Sequence, residues 1–287
     1  MMTRKRRFIP TLVISFCLSL AACGGGVTKQ EMGVIMDLAG KQRMFTQKMT
    51  KEILLIAKGI NVAENKKKLR QTAILFNKTL IGLFDGDSEL GLVKVENPHI
   101  VQQLNKVADL WREFRNNVDA VLRGNTSIAV LKKTAQQNLS LLKEMNRAVK
   151  MYERGSHSTL EQWMAVTINL AGKQRMLTQK MTKERLLVTI GIEPAKNQAE
   201  LKRTVSLFER TLAGLLDGDA ELGLPGTKNT LIREQLMRVK KRWNEYKPIV
   251  TKSKLSQAEL EKAAQINIPL LKEMNEVVQM YKGHSSQ

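Results

Sequence analysis

LAGKQRMFTQKMTKE, from Leu38 to Glu52, recurs as LAGKQRMLTQKMTKE from Leu170 to Glu184, 132 positions later. The same offset relates Trp111 to Trp243. This period is far longer than the roughly 20–50 residues of solenoid repeats, and each copy has the usual size of one domain. The sequence is therefore predicted to contain two domain-sized repeats.

Each repeat is predicted to form four amphipathic helices, because apolar residues recur with helical spacing and Gly and Pro fall between the periodic runs. In the first repeat these helices cover about 28–57, 63–83, 98–122 and 127–152. Capping boxes predict three helix starts: Thr28-x-x-Glu31, Ser158-x-x-Glu161 and Ser256-x-x-Glu259. The predicted fold class is all-α, with two tandem antiparallel four-helix bundles packed as a pseudo-dimer.

The repeats differ in length at one place. LLKEMN at Leu141–Asn146 recurs at Leu270–Asn275, only 129 positions later. We therefore expect three residues to be missing from the second repeat's loop between its third and fourth helices.

The N-terminal residues predict export. A basic segment and an apolar run, too short to span a membrane comfortably, precede Leu20-Ala21-Ala22-Cys23, which resembles the lipobox of bacterial lipoproteins. An ordinary signal peptide or an N-terminal membrane anchor is the alternative. The predicted organisation is a signal peptide at 1–22, lipidated Cys23 with a glycine tether at 23–27, and bundles at 28–155 and 156–287. By the same resemblance, a residue other than Asp after the cysteine implies the outer membrane, with the bundles facing the periplasm.

The charge favours anionic partners. The chain has a formal net charge of +20, which cleavage of the four basic n-region residues would reduce to +16. Nucleic acid is not expected, because the chain is predicted to be exported and lacks a nucleic-acid-binding motif. The only cysteines, Cys17 and Cys23, lie in the targeting region, so no disulfide is expected in the bundles.

The duplicated helix has three faces when it is plotted at 100° per residue. Leu38, Phe45, Met49 and Ile56 form a core stripe, and Lys41, Lys48, Lys51 and Lys58 are predicted to face water. The third face carries small and polar side chains and is centred on an arginine. The residues predicted to bind a ligand on this face are Arg43, Gly40 and Gln47 in the first repeat and Arg175, Gly172 and Gln179 in the second.

A glycine one turn before each arginine allows another backbone or a ligand to approach. If the two first helices pack around a pseudo-two-fold axis, Arg43 and Arg175 meet and repel each other. A small planar anion such as nitrate, nitrite, bicarbonate or a carboxylate would suit two guanidinium groups. The alternative is structural: each arginine caps a carbonyl or pairs with an acidic residue of its own bundle.

The motif AGKQRM-x-TQKM, at Ala39–Met49 and Ala171–Met181, resembles the signature of the NarX/PilJ-type sensor domain, found in nitrate/nitrite sensor kinases and type IV pilus chemotaxis transducers. The resemblance implies four-helix bundles. It also implies that Arg43 and Arg175 are the arginines that hold one nitrate at the dimer interface of the nitrate sensors. Those sensors have flanking transmembrane helices and a signalling module, where this sequence is expected to have a lipid anchor.

The sequence gives weaker support for other kinds of site. Asp85-Gly86-Asp87 and its copy at Asp217 lack the spacing of a calcium loop and are interpreted as helix-ending turns. Trp111-x-x-Phe114 and Trp243-x-x-Tyr246 are predicted core anchors. His99, His157 and His284 show no metal-ligand spacing. No catalytic constellation is recognised, so neither enzymatic activity nor a cofactor is expected.

The sequence therefore predicts a membrane-anchored sensor or binding lipoprotein for a small oxyanion, nitrate or nitrite first, which signals through a membrane-bound partner protein. The alternative is a lipoprotein without a ligand that binds a pilus, envelope or signalling protein through its helical faces.

Overall fold

A computed structural model describes residues 27–156 and 159–284. Within these ranges the chain forms eight α-helices and no strand, which confirms the predicted fold class. The helices are α1 (Lys29–Ala57), α2 (Val62–Asp85), α3 (Pro98–Leu122), α4 (Ile128–Gly155), α5 (Gln162–Ile190), α6 (Pro194–Asp217), α7 (Thr230–Val250) and α8 (Gln257–His284). The predicted signal peptide, Cys23 and the glycines after it lie outside the described residues.

Two of the three predicted capping boxes are present. The Thr28 hydroxyl accepts from the Glu31 amide at 3.2 Å, and Glu31 accepts from the Thr28 amide at 2.8 Å. Ser256 and Glu259 make the same reciprocal bonds. The third prediction is wrong, because α5 begins at Gln162 with Glu161 as an N-cap that makes no side-chain capping bond. Ser158 itself lies outside the described residues.

The Asp-Gly-Asp segments are helix-ending turns. Gly86 has a φ of 83°, a value that favours glycine, and it ends α2. The Asp87 amide donates to the Leu92 carbonyl at 2.9 Å, while the Asp87 carboxylate accepts from the Leu90 amide at 3.0 Å. The second repeat has the same turn at Gly218. The carboxylate therefore orders its own turn, as a turn-forming Asp does.

The aromatic pairs are core anchors, as predicted. The rings of Phe76 and Trp111 are 4.4 Å apart between centroids, and those of Phe208 and Trp243 are 4.5 Å apart. All four side chains are buried, and so are the other members of the predicted pairs, Phe114 and Tyr246. Each tryptophan thus joins the second and third helices of its own bundle.

The two bundles meet along α1 and α5, which lie side by side. The two helices are parallel, because equivalent residues lie near each other at two levels: Gly40 lies beside Arg175, and further along Lys51 bonds to the asparagine that also holds Gln179. α4 and α8 flank this central pair. The bundles therefore pack as the predicted pseudo-dimer.

This packing corrects the predicted faces of α1. Lys51 was expected to face water, but its side chain is 5% exposed, because α8 of the second repeat covers it. Leu38, assigned to the core stripe, is only partly buried. A helical wheel for one bundle misses the neighbouring bundle, and α1 is buried on nearly every side.

The length difference between the repeats falls in a helix, which corrects the predicted loop deletion. α7 has 21 residues where α3 has 25, and the loops that follow are nearly equal. Arg185, which replaces Ile53 of the first repeat, donates from Nε to the Val250 carbonyl at 2.8 Å. A cationic side chain at a helix C-terminus can donate to carbonyls that lack intrahelical partners, so Arg185 caps the C-terminus of the shorter helix α7.

Among the described residues, no helix combines the length and apolar character needed to cross a membrane.

Candidate functional site

The structure brings the two predicted arginines together between α1 and α5. Both are almost completely buried, with Arg43 3% and Arg175 0% exposed. A Cβ on Gly40 would lie 3.5 Å from Nη2 of Arg43 and 3.5 Å from Nη2 of Arg175, and one on Gly172 would lie 3.4 Å from Nη2 of Arg175. The two guanidinium groups therefore converge over a surface of two glycines, where backbone takes the place of side chains.

Arg175 is neutralised by the first repeat. Its Nη1 donates to Oδ1 of Asp37 at 2.6 Å, and its Nη2 donates to the Asp37 carbonyl at 3.2 Å. Nη1 also donates to Asn275 at 3.0 Å. Both members of the ion pair have side chains that are 1% exposed. The structural alternative thus holds for Arg175 in a modified form, because its carboxylate comes from the other bundle.

Arg43 has the corresponding neighbours without the carboxylate. Nη1 donates to Asn146, the equivalent of Asn275, at 3.3 Å, and Nη2 donates to the Asn169 carbonyl at 3.3 Å. Asn169 occupies the position of Asp37 in the second repeat. Within the described ranges, no carboxylate oxygen lies within ion-pair distance of Arg43, and its Nε has no acceptor. The site is therefore asymmetric, because Arg175 is paired directly with a carboxylate and Arg43 is not.

The charges around the two arginines also differ between the two halves. On the Arg175 side, Asp37 accepts from Gln279 at 3.0 Å and lies 3.1 Å from the ammonium of Lys41. On the Arg43 side, the Asn169 amide donates to Glu153, whose equivalent in the second repeat is Lys282. The negative side chain beside the arginine is thus Asp37 on α1 in one half and Glu153 on α4 in the other.

The pKa values reflect this asymmetry. Burial lowers the pKa of Arg43, the charge of Arg175 lowers it further, and Glu153 acts in the opposite direction. Burial acts to raise the pKa of Asp37, but Arg175 and Lys41 together hold it well below its ordinary range. A buried cation without a counter-ion is costly, and a bound anion would relieve that cost at Arg43.

The sequence profile of one family, described as "Type IV pili methyl-accepting chemotaxis transducer N-term" (PilJ), matches the chain twice, at residues 29–137 and 159–267. These two matches contain the two arginine helices. The chain belongs to the PilJ family. Its PilJ repeats meet through their signature helices, so the shared motif lies at the contact between repeats.

A curated relative agrees with this assignment. The chain is 29% identical over 174 residues to the methyl-accepting chemotaxis protein McpN of Pseudomonas aeruginosa. This match covers 57% of the chain but only 32% of McpN. PilJ-type domains are periplasmic sensor domains of membrane transducers, and the two comparisons point to signalling in the cell envelope rather than to catalysis.

The two glutamines predicted for the site serve their own PilJ repeats. Gln47 Nε2 donates to Oδ1 of Asn138 on α4 at 3.1 Å, and Gln179 Nε2 donates to Oδ1 of Asn267 on α8 at 2.8 Å. Both glutamines are fully buried, and the Oε1 atoms of both lack a donor. They lie one helical turn beyond the arginines and hold the signature helices against α4 and α8.

Sequence reasoning missed the residue that makes the PilJ site asymmetric. Asp37 was not among the predicted site residues, although it lies in the turn before Gly40 and its equivalent is Asn169. A search for charge-changing differences between otherwise similar repeats would have found it. Within the described residues, no group of three or more His, Cys, Asp or Glu side chains is arranged to hold a metal ion.

Proposed function

We propose that this protein is an envelope-anchored sensory protein that binds one small planar oxyanion, of the nitrate or nitrite class, at Arg43. The observation that carries the proposal is the buried guanidinium of Arg43: the Nε atoms of Arg43 and Arg175 both lack an acceptor, but only Arg175 is paired with a carboxylate. Planar oxyanions suit a guanidinium because two of their oxygens can accept from two adjacent N–H groups.

Gly40 and Gly172 support the same ligand. A Cβ at Gly40 would lie 3.5 Å from Nη2 of both arginines, so a side chain there would compete with a ligand of a few atoms for the space beside the guanidinium groups. The tandem repeat would replace the homodimer of single-repeat sensors, and one chain would bind one anion.

Binding would change the contact between the bundles. Two guanidinium groups in a buried contact repel each other, and an anion at Arg43 reduces that repulsion. The anion therefore favours the state in which α1 and α5 lie closest, and a small shift between packed helices can be transmitted to a partner. We propose that the partner is a membrane-bound signalling or envelope protein.

The anchor is part of the proposal. Cleavage before Cys23 and lipidation of that cysteine would hold the bundles at a membrane, with the outer membrane favoured by the glycine that follows. Fractionation and detergent phase partitioning of the wild type and of Cys23→Ser test this. We expect only the wild type to enter the detergent phase, and a variant that stays membrane-bound would contradict a lipid anchor.

The binding test is a titration of the full chain in mild detergent with nitrate, nitrite, bicarbonate, acetate and chloride, by calorimetry and thermal melting. We expect one nitrate or nitrite per chain. Arg43→Met should lose this binding and remain folded, since removing an uncompensated buried charge costs little. Arg112→Met, at an exposed ion pair, is the matched control and should bind as the wild type does.

The Asp37–Arg175 ion pair favours a second candidate, a structural or interaction lipoprotein that has no ligand. It predicts that Arg43→Met lowers the melting temperature and that no anion raises that of the wild type. The same titration therefore separates the two candidates.

A further inference from the structure

A cavity lies between the bundles, away from the arginines. It has a volume of about 170 Å³, opens to solvent on one side, and is lined by α1 and α2 of the first repeat and by α5 and α8 of the second. Lys51, one of its lining residues, lies two helical turns beyond Arg43, roughly 11–12 Å along α1 at 1.5 Å per residue. The volume corresponds to about six waters at ~30 Å³ each, which suits a small ligand.

One end of this cavity offers donors. The Lys51 ammonium is buried and donates to Oδ1 of Asn267 at 2.9 Å. The same oxygen already accepts from Gln179 at 2.8 Å. An ammonium has three donors, and this is the one hydrogen bond recorded for Lys51 among the described residues, so further N–H groups are available to an acceptor.

The same cavity also offers acceptors. Glu52 and Gln179 line it and are 1% and 0% exposed, yet Oε2 of Glu52 and Oε1 of Gln179 have no donor. The other carboxylate oxygen of Glu52 is held by Lys48. Buried polar atoms without partners are costly, so both oxygens are positioned for a ligand that carries N–H donors.

Part of the remaining wall is apolar. Leu55 and Ile60 come from the first repeat, and Ile268 and Leu271 come from α8. This surface suits a short hydrocarbon group and lies in the same cavity as the donors and acceptors.

We propose that this cavity binds a free α-amino acid with a small aliphatic side chain. Its carboxylate would accept from Lys51, its ammonium would donate to Glu52 and Gln179, and its side chain would pack on the apolar wall. Because the lining residues come from both repeats, the ligand would bridge the bundles. This site is independent of the anion proposed at Arg43 and shares no residue with it.

The charges around Lys51 suit this ligand. Burial lowers the pKa of Lys51 to about 7, Glu52 acts to raise it, and Lys48 and Lys68 lower it further. The groups lining the cavity from α5 and α8 are amides and apolar side chains, and α2 adds Glu64 beside Lys68. An incoming carboxylate would favour the charged amine, so the proposed binding takes up protons above pH 7.

The second repeat supplies a matched control. Lys183 is the equivalent of Lys51, is 3% exposed and donates to Asn138 at 3.1 Å. However, Glu200 replaces Lys68 there and lies 3.5 Å from Lys180, so the charges beside Lys183 differ. Lys51 lines the cavity and Lys183 does not, so the proposal assigns binding to Lys51 and not to Lys183.

The test is calorimetry and thermal melting of the full chain in mild detergent with L-alanine, L-valine and L-leucine. Isovalerate lacks the ammonium of valine, and isobutylamine lacks the carboxylate. We expect saturable binding of L-valine or L-alanine at one per chain and at least tenfold weaker binding of both analogues. Lys51→Met should weaken amino-acid binding at least tenfold, whereas Lys183→Met should change it less than twofold.

Absence of binding by all three amino acids would overturn the proposal, as would equal binding of isovalerate and L-valine or equal losses in the two lysine variants. If Lys51→Met fails to fold, Glu52→Gln replaces it, with the same tenfold loss expected. Nitrate binding should persist in all three variants, so failure of this proposal and failure of the Arg43 site give different results.

Discussion

Replacing Asp37 by Asn tests the asymmetry of the arginine site. The substitution gives the first repeat the residue that the second has at Asn169 and removes the one carboxylate that pairs with Arg175. Both guanidinium groups would then be buried without a counter-ion. The geometry changes little, because Asn and Asp have nearly the same shape and the Asp37 carbonyl still accepts from Arg175.

The expected cost follows from the burial of the pair. The contact is 2.6 Å long and both side chains are 1% exposed. Two unit charges at ~4 Å attract by about 4 kcal/mol at an effective dielectric constant of ~20. Breaking a buried pair by removing one partner typically costs about 3–5 kcal/mol. At roughly 2–4 °C per kcal/mol, we expect the melting temperature to fall by about 10 °C at pH 7.

The pH dependence has a definite sign. The folded-state pKa of Asp37 is held well below its ordinary value, so its stabilisation is present above pH ~4 and is lost as the pH falls towards the folded pKa. The difference between the wild type and Asp37→Asn should therefore be constant from pH 5 to 7 and should shrink only in stronger acid.

The assay is thermal unfolding of both proteins, with and without nitrate. Asp109→Asn, which removes an exposed carboxylate beside Arg112, is the control and should change the melting temperature by less than about 2 °C. Nitrate should stabilise Asp37→Asn more than the wild type, because two uncompensated cations gain from it. A variant as stable as the wild type, or one that nitrate does not stabilise further, would refute this reasoning.

Three further predictions follow from the contacts. Gly40→Ala should raise stability by about 0.5–1 kcal/mol in urea unfolding, because its Cβ meets the arginines at an ordinary 3.5 Å, while nitrate binding should weaken at least tenfold in calorimetry. Lys51→Met should be about 2–4 kcal/mol more stable than the wild type at pH 7, whereas the two proteins should have nearly equal stability at pH 10.5. The reason is that the unfolded wild type binds more protons than the folded one between the folded pKa of Lys51, about 7, and its ordinary pKa of 10.5. Equal stability differences at both pH values in urea unfolding would contradict this. Tyr246→Phe introduces the residue that the first repeat has at Phe114 and removes the 2.7 Å hydrogen bond to Thr182, so it should lower the stability by about 1 kcal/mol. An unchanged melting temperature in thermal unfolding would count against that hydrogen bond.

The sequence predicted most of the fold because local signals agreed. The Thr28 and Ser256 capping boxes, the glycine turns and the Trp111-x-x-Phe114 spacing are short-range features that need no knowledge of the partner bundle. The error at α5 has the same origin: Ser158 and Glu161 have capping-box spacing, but the helix starts after Glu161.

The site was predicted only in part. The convergence of Arg43 and Arg175 followed from the repeat and from their common face. The burial of Lys51 and the pairing of Arg175 with Asp37 depend on the parallel contact between bundles, whose register a helical wheel does not contain. The decisive difference, Asp37 against Asn169, was visible in the sequence but has meaning only once both lie beside an arginine.

The most direct test of the central proposal places a carboxylate beside Arg43. The double variant Asn169→Asp, Glu153→Lys copies the Asp37 and Lys282 arrangement of the opposite half. Calorimetric titration with nitrate should give one site per chain in the wild type and no binding in the double variant, which should melt at the same temperature or higher. Equal nitrate binding by both proteins, or none by the wild type, would contradict an anion site at Arg43.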